Sequence, residues 1–225
     1  MNLSLKNLSK PEVLRYLGYR GTVIPPALDQ LIDQCIDEVL QTVQPQYIYR
    51  KFAICHTDDG VQIEQTPILL TGNSIREHLL HCNEIYLLAV TIGIQADRMI
   101  RKKMATAPDE GVICNSAFGV AIEQVADLAD EQIQQECAKD GKNTTWRFSP
   151  GYGDLPLTPQ KQIIQVLQTQ QAIGLTVTDS LILTPTKSVT AIIGVTDARK
   201  DPRSNKCDYC ANRERCQFRK SGKQC

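Results

Sequence analysis

Two apolar segments separated by a short polar turn constrain this chain most, because they can pair their backbones with each other. Residues 47–55 (YIYRKFAIC) and 61–69 (VQIEQTPIL) have the composition of strands, and Asp58-Asp59-Gly60 between them is typical of a turn. A connection this short joins antiparallel strands, whereas parallel strands need a much longer crossover. The sequence therefore predicts a β-hairpin over 47–69.

Further segments predict separate strands and helices. A buried strand is predicted over 85–92, and two late strands over 175–183 and 188–195. The spacing of apolar side chains, with capping boxes at Ser9–Glu12 and Ser74–Glu77, predicts helices over 10–17, 26–43, 74–82, 95–105, 112–139 and 159–174. Thr158 is expected to cap the last helix and Pro159 to begin it. Hairpin-like strands with separate helices indicate an α+β fold rather than a regular β-α-β alternation.

The charge and the density of cysteine both change after residue 198. Formal net charge is zero, but residues 199–225 contain nine basic and three acidic side chains, so this tail carries +6 and the preceding body −6. The tail also contains four of the nine cysteines. We therefore predict a body over 1–198 and a basic, cysteine-rich tail over 199–225.

The tail cysteines have a spacing that suits metal binding. They follow the pattern C-x2-C-x5-C-x8-C, and four thiolates can hold one zinc ion or one 4Fe-4S cluster. Both alternatives remain open, as does a tail without metal. The basic side chains could bind nucleic acid or an acidic partner. Four thiolates would offset most of the +6, which argues against a nucleic-acid partner. The predicted metal ligands are Cys207, Cys210, Cys216 and Cys225.

The remaining bulk features favour a cytoplasmic protein with reduced thiols. No apolar run approaches the roughly 20 residues of a membrane span, and the N-terminal residues have no signal-peptide core. An odd number of cysteines argues against a disulfide framework. Five cysteines are predicted to be small core residues: Cys35, Cys55, Cys82, Cys114 and Cys137.

The segment 146–156 (WRFSPGYGDLP) has the composition of a ligand-binding loop. Its glycines let the backbone approach a ligand, Arg147 suits a carboxylate or phosphate, and Tyr152 offers a flat face with a polar tip. These side chains suit a small zwitterionic or aromatic ligand. A rigid connection between helices, with Arg147 in a surface ion pair, is the structural alternative.

The chain resembles a known family at this loop. Arg147-x-x-x-Gly151-Tyr152, followed by residues 183–189 (LTPTKSV), is similar to the activation domain of cobalamin-dependent methionine synthase. Looser similarity upstream is in the expected order and extends the resemblance over 1–198. It implies a twisted antiparallel sheet with flanking helices around an S-adenosylmethionine site.

The resemblance also implies a set of ligand-binding residues. Arg147 would hold the ligand's carboxylate, Gly151 would approach the ligand closely, and Tyr152 would pack on it or bond to it. A carboxylate on the long helix could hold the ligand's ammonium group, although a solvated acidic helix face is the alternative. The implied set is Arg147, Ser149, Gly151, Tyr152, Asp154, Ser188 and Glu123.

The implied role is reactivation of a corrinoid enzyme by reductive methylation, in methionine biosynthesis. The body has no Asp-x-His-x-x-Gly corrinoid-ligand motif. Cobalamin is therefore expected on a partner, either a methionine synthase or another corrinoid methyltransferase. A flavodoxin or ferredoxin is a possible electron donor. This implies a free-standing activation domain that takes part in a methyltransferase reaction.

The sequence departs from the family at two places. Residues 153–157 (GDLPL) replace a different stretch that contains proline and cysteine, and Ile192 and Ile193 stand where the family has aromatic residues. Asp154 is expected to replace a polar contact to the ligand. The isoleucines also support an alternative, a corrinoid-protein-binding module without methyl transfer. A metal-containing, nucleic-acid-binding protein is the further alternative.

Overall fold

A computed structural model describes residues 5–21 and 23–197, and these residues form two compact units. The first unit contains residues 5–48 (without 22), 89–129 and 168–189, and the second contains 49–88, 130–167 and 190–197. The predicted body thus contains two units, each assembled from segments distant in sequence. The tail 199–225 lies outside the described residues, so the division at 198 and the four tail cysteines stay predictions.

The described residues form seven helices and eight strands. The helices are α1 (Lys10–Tyr16), α2 (Pro26–Thr42), α3 (Asn73–Leu79), α4 (Ile94–Thr106), α5 (Pro108–Lys139), α6 (Pro159–Val166) and α7 (Thr169–Ile173). The strands are β1 (Gln46–His56), β2 (Val61–Ile63), β3 (Leu69–Leu70), β4 (Glu84–Thr91), β5 (Asn143–Thr144), β6 (Thr176–Val177), β7 (Leu183–Thr184) and β8 (Ser188–Thr196). This mixture confirms the predicted α+β class.

Most residues of a six-stranded sheet belong to the second unit. Its strand order is β3-β2-β1-β4-β8-β5. The predicted hairpin is confirmed, because β1 and β2 pair antiparallel with Ile54 opposite Ile63. At the other edge β5 pairs antiparallel with β8, with Thr144 opposite Val195. Ile75 and Leu79 of α3 and Ile133 of α5 are fully buried, so these two helices supply core side chains to the unit.

The first unit consists mainly of helices joined by ion pairs. Lys10 of α1 lies 2.7 Å from both Asp29 and Asp33 of α2. Lys103 of α4 lies 2.5 Å from Glu38 of α2 and from Glu110 of α5. Strands β6 and β7 form a separate antiparallel hairpin in this unit. These ion pairs therefore connect α1 to α2, and α4 to both α2 and α5.

Residues with positive φ interrupt three predicted elements. The predicted strand 61–69 divides into β2 and β3 around Gln65 (φ 61°), and the predicted helix 159–174 divides into α6 and α7 at Gln168 (φ 53°). The predicted strand 175–183 is instead a hairpin, with Leu181 (φ 62°) in its turn. Thr158 makes no side-chain capping bond. Left-handed backbone is uncommon outside glycine, so sequence patterns did not indicate these breaks.

Burial confirms four of the five predicted core cysteines. Cys35, Cys82, Cys114 and Cys137 are buried, but Cys55 is exposed because it lies on the open face of β1. Burial raises the pKa of the Cys82 thiol to about 11, so this side chain is a neutral, apolar core group at ordinary pH.

Helix α5 is long and apolar enough to cross a membrane by length and composition alone. However, 67% of its most apolar 18-residue window is buried inside the protein. The long central helix of a globular protein has the same properties, so the apolar surface of α5 is used within the fold.

The tight contact at Gly194 of β8 generates a stability prediction. A Cβ at this position would lie 2.5 Å from Cys82 Sγ and 2.9 Å from Leu79 Cδ2. Overpacking a core costs about 1–3 kcal/mol, so Gly194→Ala is expected to lower the free energy of unfolding by this amount in urea denaturation. Adding Cys82→Ala should restore part of the loss. If the loss of unfolding free energy in the double variant equals the sum of the losses in the two single variants, the two side chains do not compete for space.

Candidate ligand-binding site

The predicted loop begins at the edge of the sheet in the second unit. Phe148 forms an isolated antiparallel bridge with Ile192 of β8, and their backbones exchange two hydrogen bonds of 2.9 and 2.8 Å. Just before it, Thr145 N donates to Gly194 O at 2.9 Å, and Gly194 N donates to the Thr145 hydroxyl at 2.8 Å. The residues that precede and follow Arg147 are therefore fixed to β8.

Residues 149–155 close into a compact turn. Tyr152 N donates to Ser149 O, Leu155 N donates to Tyr152 O, and Gly151 N donates to Leu155 O, each at 3.0 Å. Gly151 has a φ of 89°, and, among the described residues other than its two chain neighbours, only Leu157 Cδ1, at 3.4 Å, lies within 4 Å of the position that its Cβ would occupy. The backbone at Gly151 is thus both left-handed and open to an approaching group.

Gly153 has the opposite surroundings. Its φ is 54°, and a Cβ there would lie 2.6 Å from Ser74 Oγ and 2.8 Å from Ser74 Cβ. Gly153 is therefore required for close packing of the loop on α3, whereas the space beside Gly151 is available to a ligand.

Asp154 connects the loop to the start of α3. Its carboxylate accepts hydrogen bonds from Asn73 N (2.7 Å) and Ser74 N (2.9 Å). These bonds from the Ser74 and Asn73 backbone hold the pKa of the Asp154 carboxyl below its usual range. The N-cap residue, Gly72, has no side chain to satisfy these donors, so Asp154 performs that task from 80 residues away.

This arrangement corrects the expected start of α3. The Ser74–Glu77 capping box predicted Ser74 as the cap, but the helix begins at Asn73 and a distant carboxylate caps it. The helix also ends at Leu79, so the predicted extension to Cys82 is wrong. A local sequence pattern cannot indicate a capping side chain that is supplied by a distant segment of the chain.

Aromatic rings line the loop on the side of α3. His78 lies 4.7 Å from the Trp146 ring centroid and 5.0 Å from that of Phe148, and its Nε2 is 2.8 Å from the Thr145 hydroxyl. Tyr152 is 6.3 Å from Phe148 by ring centroid and remains 60% exposed. The result is a supported aromatic surface that ends in one accessible tyrosine.

The second unit thus brings five of the seven predicted site residues onto one loop. Arg147 and Ser149 are half-buried there, whereas the other three are exposed: Gly151, Tyr152 and Asp154. Asp154 was expected to contact a ligand. Its observed partners are the N–H groups of α3, and a ligand contact stays a prediction.

The other two predicted residues, Ser188 and Glu123, belong to the first unit. Ser188 is the first residue of β8, directly after the turn that follows β7, and its hydroxyl donates to Pro185 O at 2.7 Å and lies 2.9 Å from the Thr91 hydroxyl. Glu123 is half-buried on α5. The turn is further held by Asp97 of α4, whose carboxylate accepts from Thr186 N (2.9 Å) and from the Thr186 hydroxyl.

Sequence reasoning missed Asp97. It is 92% buried, which is unusual for an aspartate and is explained by its two bonds to Thr186. Its position in the first turn of an amphipathic helix is equally typical of a solvated acid, so the sequence gives no signal of this contact.

Comparison with known proteins identifies the family. A sequence model described as "Vitamin B12 dependent methionine synthase, activation domain" matches residues 81–208. The chain belongs to this family. The matched range includes all seven predicted site residues, and it extends past the described residues into the tail. No curated protein matches the chain.

The activation-domain fold is also found in a solved structure. The MetH reactivation domain bound to AdoHcy matches with a TM-score of 0.62 and 16% sequence identity, over 85% of this chain and 71% of that one. At this identity the similarity establishes the fold, a mixed helical and antiparallel architecture. It confirms the fold implied by the resemblance to activation domains.

The cap by Asp154 generates a pH prediction. Because the pKa of Asp154 is lowered on folding, its stabilisation is complete above the unfolded value of about 3.9 and disappears as pH falls through the folded value. Asp154→Asn should therefore lower Tm at pH 7, and the difference from the unsubstituted protein should shrink below about pH 4. Thermal unfolding from pH 7 to 3 tests this, with exposed Asp59→Asn as the control. A difference in Tm that is independent of pH would contradict the charged cap.

Proposed function

We propose that this chain is an S-adenosylmethionine-binding reactivation protein for a corrinoid-dependent methionine synthase or methyltransferase. Membership of the activation-domain family carries the proposal, because the matched residues 81–208 contain both the 146–156 loop and the 185–188 turn. The relative of known structure was solved with AdoHcy, the demethylated form of S-adenosylmethionine.

The loop geometry is compatible with this ligand. S-adenosylmethionine has a carboxylate, an ammonium group and an aromatic base. Arg147 offers a half-buried cation, the open backbone at Gly151 permits close approach, and exposed Tyr152 offers a ring surface. In the proposal Arg147 holds the carboxylate and Ser149 supplies a polar contact. The roles that the family resemblance implies for Ser188, as a polar contact, and for Glu123, as the partner of the ammonium group, stay predictions from the sequence.

The proposed reaction is reductive methylation of an oxidised corrinoid on a partner protein. An electron donor, such as a flavodoxin or ferredoxin, supplies one electron to cob(II)alamin. S-adenosylmethionine then supplies the methyl group and leaves as S-adenosylhomocysteine. This chain contributes by holding the donor methyl in line with the partner's cobalt. The reaction would support methionine biosynthesis in the cytoplasm.

One observation favours the second candidate, a corrinoid-protein-binding module without methyl transfer. Ile192 and Ile193 are fully buried in β8, and Ile192 pairs with Phe148. Isoleucine at these positions supplies no aromatic ring, which the family resemblance implies for ligand contact on this strand. The two candidates differ in a single measurable property, the affinity for S-adenosylmethionine.

Isothermal calorimetry separates them. The protein is expected to bind S-adenosylmethionine, and Arg147→Ala should weaken binding about 10- to 100-fold, since a hydrogen bond to a charged group is worth ~1.5–3 kcal/mol. The control Arg98→Ala removes an exposed arginine of α4 and should leave Kd unchanged. If millimolar ligand produces no binding while a corrinoid protein is still retained in a pull-down, the binding module is correct.

The tail generates a separate prediction about metal. We propose that Cys207, Cys210, Cys216 and Cys225 hold zinc or a 4Fe-4S cluster. Elemental analysis and an absorption spectrum of anaerobically purified protein should show bound zinc, or iron with sulfide. Cys207→Ser with Cys210→Ser should abolish the metal, whereas Cys55→Ser, at an exposed thiol of β1, should retain it. Protein free of both metals would contradict the proposal.

A further inference from the structure

Lys187 is a half-buried cation in the turn between β7 and β8 of the first unit. Its Nζ donates to the backbone oxygen of Asn115 on α5 at 3.0 Å. Among residues 5–21 and 23–197, no carboxylate oxygen lies within 4.0 Å of this ammonium group. Burial lowers the pKa of Lys187, and the charge of Asp97 opposes that shift. Lys187 has thus lost part of its hydration without gaining an ion pair.

The carboxylate of Asp97 is already engaged. Both of its oxygens accept hydrogen bonds from Thr186, one from the backbone N–H and one from the hydroxyl. Asp97 therefore fixes the turn in which Lys187 lies, and the bond to Asn115 O holds the ammonium group in place. A group held this way is preorganised, which reduces the entropic cost of binding a counter-ion.

Gly119 and Tyr16 border the same region. A Cβ on Gly119 would lie 3.1 and 3.2 Å from Tyr16 Cδ1 and Cε1 and 4.0 Å from Lys187 Nζ. Tyr16 is 45% exposed, and the Arg15 guanidinium lies 4.8 Å from its ring centroid. The surface of α5 at Gly119 is therefore bordered by an aromatic ring and by the ammonium group of Lys187.

From this geometry we propose that Lys187 binds an anionic oxygen group, a carboxylate or a phosphate, with Tyr16 as a wall of the site. An ammonium group with remaining donors forms short, charge-assisted bonds to such oxygens. The identity of the ligand rests on the proposed function, which supplies two sources of this chemistry. They are the phosphodiester of the partner's cobalamin, and the carboxylate of S-adenosylmethionine, which Lys187 would then hold in place of Arg147.

The first experiment tests the site without either ligand. Protein labelled with ¹³C-lysine is titrated with inorganic phosphate and with acetate, and the Lys187 ε-CH2 signal is assigned by its loss in Lys187→Met. Saturable movement of that signal, with none at exposed Lys102, is expected. No movement of Lys187 with either anion, or equal movement of both lysines, would overturn the proposal whether or not S-adenosylmethionine binds.

The second experiment identifies the source through two matched pairs of ligands. S-adenosylmethionine is compared with its decarboxylated analogue, and cobalamin with cobinamide, which lacks the phosphodiester. Lys187→Met should weaken one complete ligand about tenfold or more and leave its truncated partner unchanged. Lys187→Arg, which keeps the charge, should recover most of the affinity.

The outcomes separate this proposal from the function on which it rests. If Lys187 responds to phosphate but S-adenosylmethionine does not bind, the anion site stands and the reactivation role fails. If S-adenosylmethionine binds and Lys187→Met, folded with an unchanged Tm, affects none of the four ligands, the anion site fails and the reactivation role stands. Equal weakening of complete and truncated ligands would indicate a structural role for Lys187 and would also overturn the site.

Discussion

The pairing of residues 143–148 with β8 is the constraint on which the ligand loop depends. Thr145 is at its centre, because it bonds to Gly194 through both its backbone and its hydroxyl and also contacts His78. This pairing fixes Phe148 against Ile192, so the turn 149–155 begins from a rigid base. Asp154 then anchors the far end of the turn to α3. A loop held at both ends positions its side chains with little entropy left to lose on binding.

Much of the fold could be predicted because it follows from local periodicity. The α2 helix has apolar side chains at helical spacing, and the first hairpin has its turn residues beside strand-forming segments. The errors have a different cause. Gln65 and Gln168 adopt left-handed backbone that only the surrounding structure imposes, and Cys55 is exposed because strand alternation places it on the open face of β1.

The candidate site was partly predictable for the same reason. The loop could be recognised because Arg147, Gly151 and Tyr152 lie close together in sequence and carry a family pattern. The contacts that hold the site could not, since Asp154 caps a helix 80 residues away and Asp97 binds Thr186 from 89 residues away. Sequence patterns report which side chains are present. Contacts with residues distant in sequence determine which of these side chains stabilise the structure.

The lengths of the outer strands affect how a partner protein can attach. In the six-stranded sheet of the second unit, the two edge strands, β3 and β5, contain only two residues each. Short edges offer few unpaired backbone groups, and this is a common protection against edge-to-edge aggregation. They also offer few backbone groups with which a strand of a partner protein could pair. Within the described residues, contact of the proposed corrinoid partner with this sheet would therefore depend on side chains and loops, whose identity can change without altering the sheet.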